Sequence, residues 1–238
     1  MTRILLILMA ALAFAAGFLV AAPASWLHVL MPAFLQLNVS EGTLWKGSSQ
    51  LIVNTQHPQA LPSRIHWQWN WTPWPQLQIN SDDLAQPLLL TLNGTRLSIG
   101  QSRLQLPASL LSSVHPLLAS LQPQGNLSLS WPTFYANSPA AIDLQLHWQD
   151  ASVAVSSLRP LGSYVLDLQL AKSSSLQLRT EHGPLQLRGQ GSFGATQPWS
   201  FTGEAYSSPE YFAALQPLLH LLGPVHDGRA AIRLQTAP

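Results

Sequence analysis

The chain contains no cysteine among its 238 residues. That excludes a disulfide framework, a thiolate nucleophile and a cysteine-type zinc site. A chain of this length can instead rest on an ordinary apolar core. Charge is scarce as well: Lys, Arg, Asp and Glu make up 9% of the residues, against roughly a quarter in soluble domains. The 11 basic and 10 acidic residues leave a formal net charge of +1. No Lys/Arg cluster offers the electrostatic footprint of nucleic-acid binding, so nucleic acid is not an expected partner. Gln, Ser, Asn and Thr stand where charge would be, and 47% of residues are hydrophobic, a balance that favours folding over disorder.

Catalytic patterns are also missing. There is no G-x-S-x-G and no H-E-x-x-H, and the eight histidines stand singly. His220 and His226 flank a Gly-Pro break and read as surface residues. Glu181 and His182 sit at a turn, where polar side chains need no special role. The acidic residues Asp82, Asp83, Asp143, Asp150 and Asp167, with four more further on, form no recognisable pair for glycoside chemistry. Gly189-Gln190-Gly191-Ser192-Phe193-Gly194 is a literal G-x-G-x-x-G. Dinucleotide binding needs a helix N-terminus directly after those glycines, and Thr196-Gln197-Pro198 does not start one; glycines at a strand end or bulge are the better reading. No catalytic, cofactor-binding or metal-ligating residue is assigned, no cofactor is expected, and the chain is not expected to be an enzyme.

What the sequence does have begins at its N-terminus. Ile4 to Ala22 is an apolar run without a charge. At about 1.5 Å per residue it makes a helix of roughly 28 Å, close to the hydrocarbon thickness of a bilayer. Arg3 precedes it, and the next basic residue is Lys46, which places the N-terminus in the cytoplasm and the remainder across the membrane. The competing reading is a signal peptide cleaved after Ala24, since Ala22-Pro23-Ala24 resembles a processing site. Signal-peptide apolar cores usually run only about 7 to 15 residues, which favours a retained anchor. Trp26, just beyond the run, is the residue type that membrane interfaces favour.

Past Phe34 the periodicity becomes that of strands. Leu35, Leu37 and Val39 alternate with polar residues, Glu41-Gly42-Thr43 turns the chain, and a second strand runs to Val53. Between Arg64 and Trp71, Ile65, Trp67, Trp69 and Trp71 share one face. Such an indole row can stack on a sugar or touch lipid, but core packing in an antiparallel sheet is the commoner use and the expectation here. Asn93-Gly94 between alternating runs marks a hairpin. Further strands are expected over Leu127–Trp131, Ile142–Trp148, Val153–Val155, Tyr164–Leu170, Leu176–Leu178, Leu185–Leu187, near Trp199, and from Gly228 to the end.

Two stretches break the strand pattern. Leu110, Leu111, Val114, Leu117, Leu118 and Leu121 form a helical stripe interrupted by Pro116, best accommodated as two short turns with Pro116 opening the second. Tyr211, Phe212, Leu215, Leu218, Leu219 and Leu222 repeat that stripe 101 positions later, Pro217 included, after a Ser208 N-cap and Pro209. Gly125 and Gly228 open the strands downstream. The expectation is an internal duplication. The fold class is then mainly β: antiparallel sheets in two related tandem halves, each with a short Pro-interrupted helix, behind one N-terminal transmembrane helix. The domain layout is an anchor over 1–25 and a β-rich domain over 26–238, with halves of about 35–131 and 140–238.

The stretch Val39-Ser40-Glu41-Gly42-Thr43-Leu44-Trp45-Lys46-Gly47 behind an N-terminal anchor resembles the opening of the protein N family of the type II secretion pathway. So do Arg159-Pro160-Leu161-Gly162-Ser163-Tyr164, Gly183-Pro184-Leu185-Gln186-Leu187-Arg188-Gly189, and the closing Leu219 to Arg233 with Leu222-Gly223 and Asp227-Gly228. The resemblance implies a single-pass protein of the Gram-negative inner membrane, inserted through residues 4–22, with its bulk in the periplasm. It further implies an accessory subunit in the export of folded proteins across the outer membrane, with other secretion subunits as partners. A rival from another class is a lipid-binding or membrane-bridging β protein, because a long sheet with one apolar face can curl into a groove for acyl chains.

Overall fold

The computed structural model describes residues 21–29, 35–53, 59–113, 116–136, 138–194 and 199–235. The expected span Ile4–Ala22 lies outside the described residues except for its last two positions. Among the described residues no helix is long and apolar enough to cross a membrane. Antiparallel sheet dominates, as the alternation requires.

The chain divides into two compact units, one of residues 1–82 with 87–95 and one of 83–86 with 96–238. In the first unit a 3-10 turn, Ala24–Val29, leads to β1 (Leu35–Gly42), β2 (Lys46–Val53), β3 (Gln59–Asn70), β4 (Gln76–Asn80) and β5 (Leu88–Asn93). These strands neighbour one another in sequence order, a meander whose short connections suit antiparallel pairing. The Asn93-Gly94 turn ends β5, with Gly94 in the left-handed region at φ 59°, as the hairpin signal requires.

The second unit adds β6 (Arg96–Ile99), β7 (Ser102–Pro107), β8 (Gln124–Trp131), β9 (Phe134–Tyr135), β10 (Ile142–Ser152), β11 (Gly162–Leu170), β12 (Ser173–His182), β13 (Leu185–Gly194), β14 (Ser200–Ser207), β15 (Val225–His226) and β16 (Arg229–Gln235). Nine of them make one sheet in the order β15-β16-β14-β13-β12-β11-β10-β8-β7. Its register aligns Leu129, Leu146, Leu166, Leu178, Gly189, Gly203 and Ile232 in one row across successive strands. The opposite face carries Gln145, Asp167, Gln177 and Gln190 in a parallel row.

One helix closes the apolar face. The 3-10 turn Pro209–Tyr211 precedes α2 (Phe212–Leu222), which buries Leu215, Leu218 and Leu219. These pack with Leu185, Ala205, Ala230 and Ile232, and burial of each leucine stabilises the fold by about 1.5 to 3 kcal/mol. Earlier in the chain a 3-10 turn, Ala108–Ser113, is followed by α1 (Pro116–Leu121), so Pro116 does open a second turn as its missing N–H predicts. Leu121 and Leu118 of α1 join the same core.

Two local expectations need correction. Pro217 does not interrupt its helix: α2 runs through it unbroken. The carbonyl it leaves without the usual intrahelical partner belongs to Ala213, and both residues are on the exposed side of the helix, where a helix tolerates such a carbonyl because solvent can reach it. Ser208 does occupy the N-cap position, with Pro209 opening the 3-10 turn as expected, although its side chain makes no capping bond; its hydroxyl lies 3.4 Å from a Glu210 carboxylate oxygen. Val153–Val155 is not a strand. Val153 is buried beside the end of β10 while Val155 is exposed in the following loop. The boundary between units falls near residue 95, and β7 and β8 pair into the sheet of the later strands. Leucines of both helical stripes join one core.

The motif Arg159–Tyr164 has a definite task. The Leu161 amide donates to the Ala151 carbonyl at 2.7 Å, and the Leu185 amide donates to the Leu161 carbonyl at 3.1 Å. The buried Tyr164 hydroxyl lies 3.2 Å from the Leu161 carbonyl oxygen and 3.1 Å from that of Leu185. It links the loop before β11 to the start of β13.

Candidate functional site: an indole cluster at the first turn

The β1–β2 turn is built by the stretch Glu41–Gly47. Gly42, at φ 92°, pairs with Gly47 across the hairpin. The Thr43 amide donates to the Lys46 carbonyl at 2.9 Å. The Trp45 and Lys46 amides lie 3.3 and 3.2 Å from the Thr43 hydroxyl, which accepts from them. A hydroxyl at position 43 therefore holds two turn amides that the hairpin ladder leaves over.

Trp67 locks this turn to β3. Its indole N–H donates to the Thr43 carbonyl at 3.1 Å, and its ring lies over Gly47, where an added Cβ would meet Cζ2 at 2.6 Å. The Trp69 amide donates to the Trp45 carbonyl at 2.8 Å, so Trp45 is held beside the end of β3.

The row expected to be core is core at only one end. Trp67 is 4% exposed, Trp69 is half-buried, and Trp71 is 58% exposed. The reason is that β3 ends at Asn70, so Trp71 projects beyond the paired strand. The Trp69 and Trp71 rings stack at 5.6 Å and 19°. Trp45 meets Trp69 edge-on at 6.3 Å and Trp71 at 5.4 Å. Three indoles thus share a surface cluster, and Trp74, three residues on, is also exposed.

The N-terminal segment is docked at the same turn. Leu44 donates its amide to the Ala22 carbonyl at 2.8 Å, and Pro23 bridges to Thr43. Ala22 and Ala24 are buried, while Trp26 is exposed.

A second polar place lies on the open face of the nine-stranded sheet. Ser130, Asp143, Gln145, Asp167, Gln169, Ser175 and Gln177 line a shallow groove of about 550 Å³. Gln145 donates to Asp167 at 2.7 Å, Gln169 donates to Asp143 at 3.0 Å, and the Arg179 guanidinium lies 3.3 Å from Asp167. Asp143 and Asp167 are brought onto one face by pairing that no local spacing announces, yet each is tied to a neighbouring amide or guanidinium.

The other sequence candidates are dispersed. His220 is exposed on α2 and His226 in β15. Glu181, at the end of β12, lies 3.8 Å from His147 Nδ1. Among the described residues no three of His, Asp and Glu come together as a metal centre requires. Gly194 ends strand β13, as expected, while Gly189 and Gly191 lie within its regular ladder and not in a bulge. The Phe201 ring lies on Gly189, and Leu176 lies near Gly191, so these positions lack side chains to admit their neighbours.

The arrangement defines a class: an antiparallel β protein of two units that displays an aromatic cluster at its first turn and a polar amide face on its larger sheet. The model of the family described as type II secretion system (T2SS), protein N, matches residues 33–235. The chain belongs to that family, as the motifs led one to expect. It is similar to the type II secretion system protein N of Pectobacterium carotovorum subsp. carotovorum, 27% identical over 219 residues that cover 87% of this chain and 85% of the relative. No solved structure matches it.

Proposed function

We propose that the chain is an accessory, non-enzymatic subunit of a type II secretion system. Residues 4–22 hold it in the inner membrane, with the N-terminus cytoplasmic and residues 26–238 in the periplasm. There its sheets contact other subunits during export of folded proteins across the outer membrane. The observation that carries this reading is the family match over nearly the whole β region, residues 33–235. The uncharged run before it supplies the anchor. Deletion in a bacterium that secretes through this pathway, followed by complementation, tests the role: secreted enzyme activity in the medium is expected to fall and to recover. Unchanged secretion together with no recovered partner contradicts it.

The lipid-binding alternative draws on one feature of the larger sheet. Ile142, Leu144 and Leu170 continue its apolar face and remain half-buried. Native mass spectrometry of the purified chain separates the readings: a stoichiometric phospholipid adduct favours the carrier, and a ligand-free mass favours the subunit.

A further inference from the structure

We infer that the cluster of Trp45, Trp69 and Trp71, with Trp74 and Trp26, is a lipid-headgroup contact that seats the first unit on the membrane surface. The inference rests on the anchor proposed above and adds to it where the folded chain sits. Three relationships lead there.

The first is position. The Ala22 carbonyl is bonded to the Leu44 amide, and Trp45 is the next residue. The last apolar residue of the span is therefore docked one residue from the cluster, with no free linker between them. At no more than about 3.6 Å per residue, Trp45 begins within a few ångströms of the end of the span. The polar belt of each leaflet is about 5 to 8 Å deep, so an indole at this position reaches it.

The second is exposure. Trp71 at 58%, Trp74 at 48% and Trp26 at 47% are among the most exposed large apolar side chains described. The Trp45, Trp69 and Trp71 rings touch one another, Trp74 follows Trp71 by three residues and Trp26 follows the docked Ala22 by four, and a contiguous exposed aromatic patch marks an interaction site. Core packing accounts for Trp67, which is buried and bonded to Thr43, but not for the rings beyond it.

The third is chemistry. Indoles with an apolar body and a polar N–H concentrate at the boundary between headgroups and hydrocarbon. Lys46, exposed and next to Trp45, brings an ammonium suited to lipid phosphate. A protein partner would equally prefer aromatic anchors, but the docked end of the span puts the bilayer there first.

The absence of cysteine makes the test direct. The full chain is reconstituted into vesicles of phosphatidylethanolamine and phosphatidylglycerol containing a phosphatidylcholine brominated in its upper acyl chain. Single cysteines Ala13→Cys, Thr72→Cys and Ala60→Cys carry an environment-sensitive dye; Ala60 is exposed at the start of β3, the strand whose far end carries the cluster. The expected result is strong quenching at position 13, at least twofold quenching at position 72, and none at 60. Quenching at 13 without quenching at 72 overturns the surface contact and leaves the anchor standing. No quenching at either position overturns both, and equal quenching at 72 and 60 overturns the assignment to this cluster. The unmodified chain supplies a check that no substitution can disturb. Six of its nine tryptophans lie between Trp26 and Trp74, so bromolipid should remove a substantial part of native tryptophan emission; unaltered emission contradicts the proposal.

Discussion

The amide of Leu44 donates to the carbonyl of Ala22 at 2.8 Å, so the fold begins before the candidate processing site rather than after it. Pro23 bridges to Thr43, and Ala22 and Ala24 are buried. Cleavage after Ala24 would remove these contacts and leave the Leu44 amide without this partner.

The retained N-terminus is the first prediction. Intact-mass measurement and N-terminal sequencing of the protein from membranes should find residues upstream of Ala22 present. A mature chain starting at Ser25 contradicts a retained anchor.

Tyr164 should matter for stability although it lies in no cleft. Tyr164→Phe removes the hydrogen-bond donor near the Leu161 and Leu185 carbonyls. The expected loss is about 1 to 3 kcal/mol, the range for leaving buried polar groups unsatisfied. Chemical unfolding of both proteins measures it, and equal midpoints with equal slopes would show that the hydroxyl contributes nothing.

The same residue sets an alkaline limit. Burial raises the Tyr164 phenol well above its ordinary value of about 10. Above pH 10 the native state keeps a proton that the unfolded chain releases, so stability declines as pH rises. Below that pH the contribution is complete. Stability measured from pH 8 to 11 should fall more steeply for the wild type than for Tyr164→Phe; parallel curves would contradict this origin.

Gly189 should resist even a methyl group. Its neighbour there is the Phe201 ring, and overpacking a filled position costs about 1 to 3 kcal/mol. Gly189→Ala should cost that much in the wild type and clearly less in a Phe201→Leu background. A double-mutant cycle reads the coupling, and strict additivity would show that the ring is not the obstacle.

Strand content and the Asn93-Gly94 turn were legible because alternation and turn chemistry are local. The sheet order was not legible: β8 pairs with β10 and β7 with β8, so strands placed in the first half by the sequence repeat join the sheet of the later strands, a non-local pairing that no short period encodes. The indole row shows a related limit. Spacing puts Trp67, Trp69 and Trp71 on one face, but only the end of β3 at Asn70 decides that the first is covered and the last is not. The stretch Glu41–Gly47 was legible as a family signature, while its physical basis, the Thr43 carbonyl accepting from Trp67 and Gly47 yielding to the same ring, required the fold. The strand-end or bulge reading of the 189–194 glycines failed at Gly189 for the same reason, since Phe201 reaches it only through β14 pairing.

The most direct test of a membrane-held secretion subunit is recovery of its neighbours. The affinity-tagged full chain, expressed from its own locus, is crosslinked in living cells, purified from solubilised membranes and identified with its partners by mass spectrometry. Enrichment of other type II secretion subunits over an untagged control is the predicted result. Recovery of the protein free of any of them, from cells actively secreting through the pathway, would contradict it.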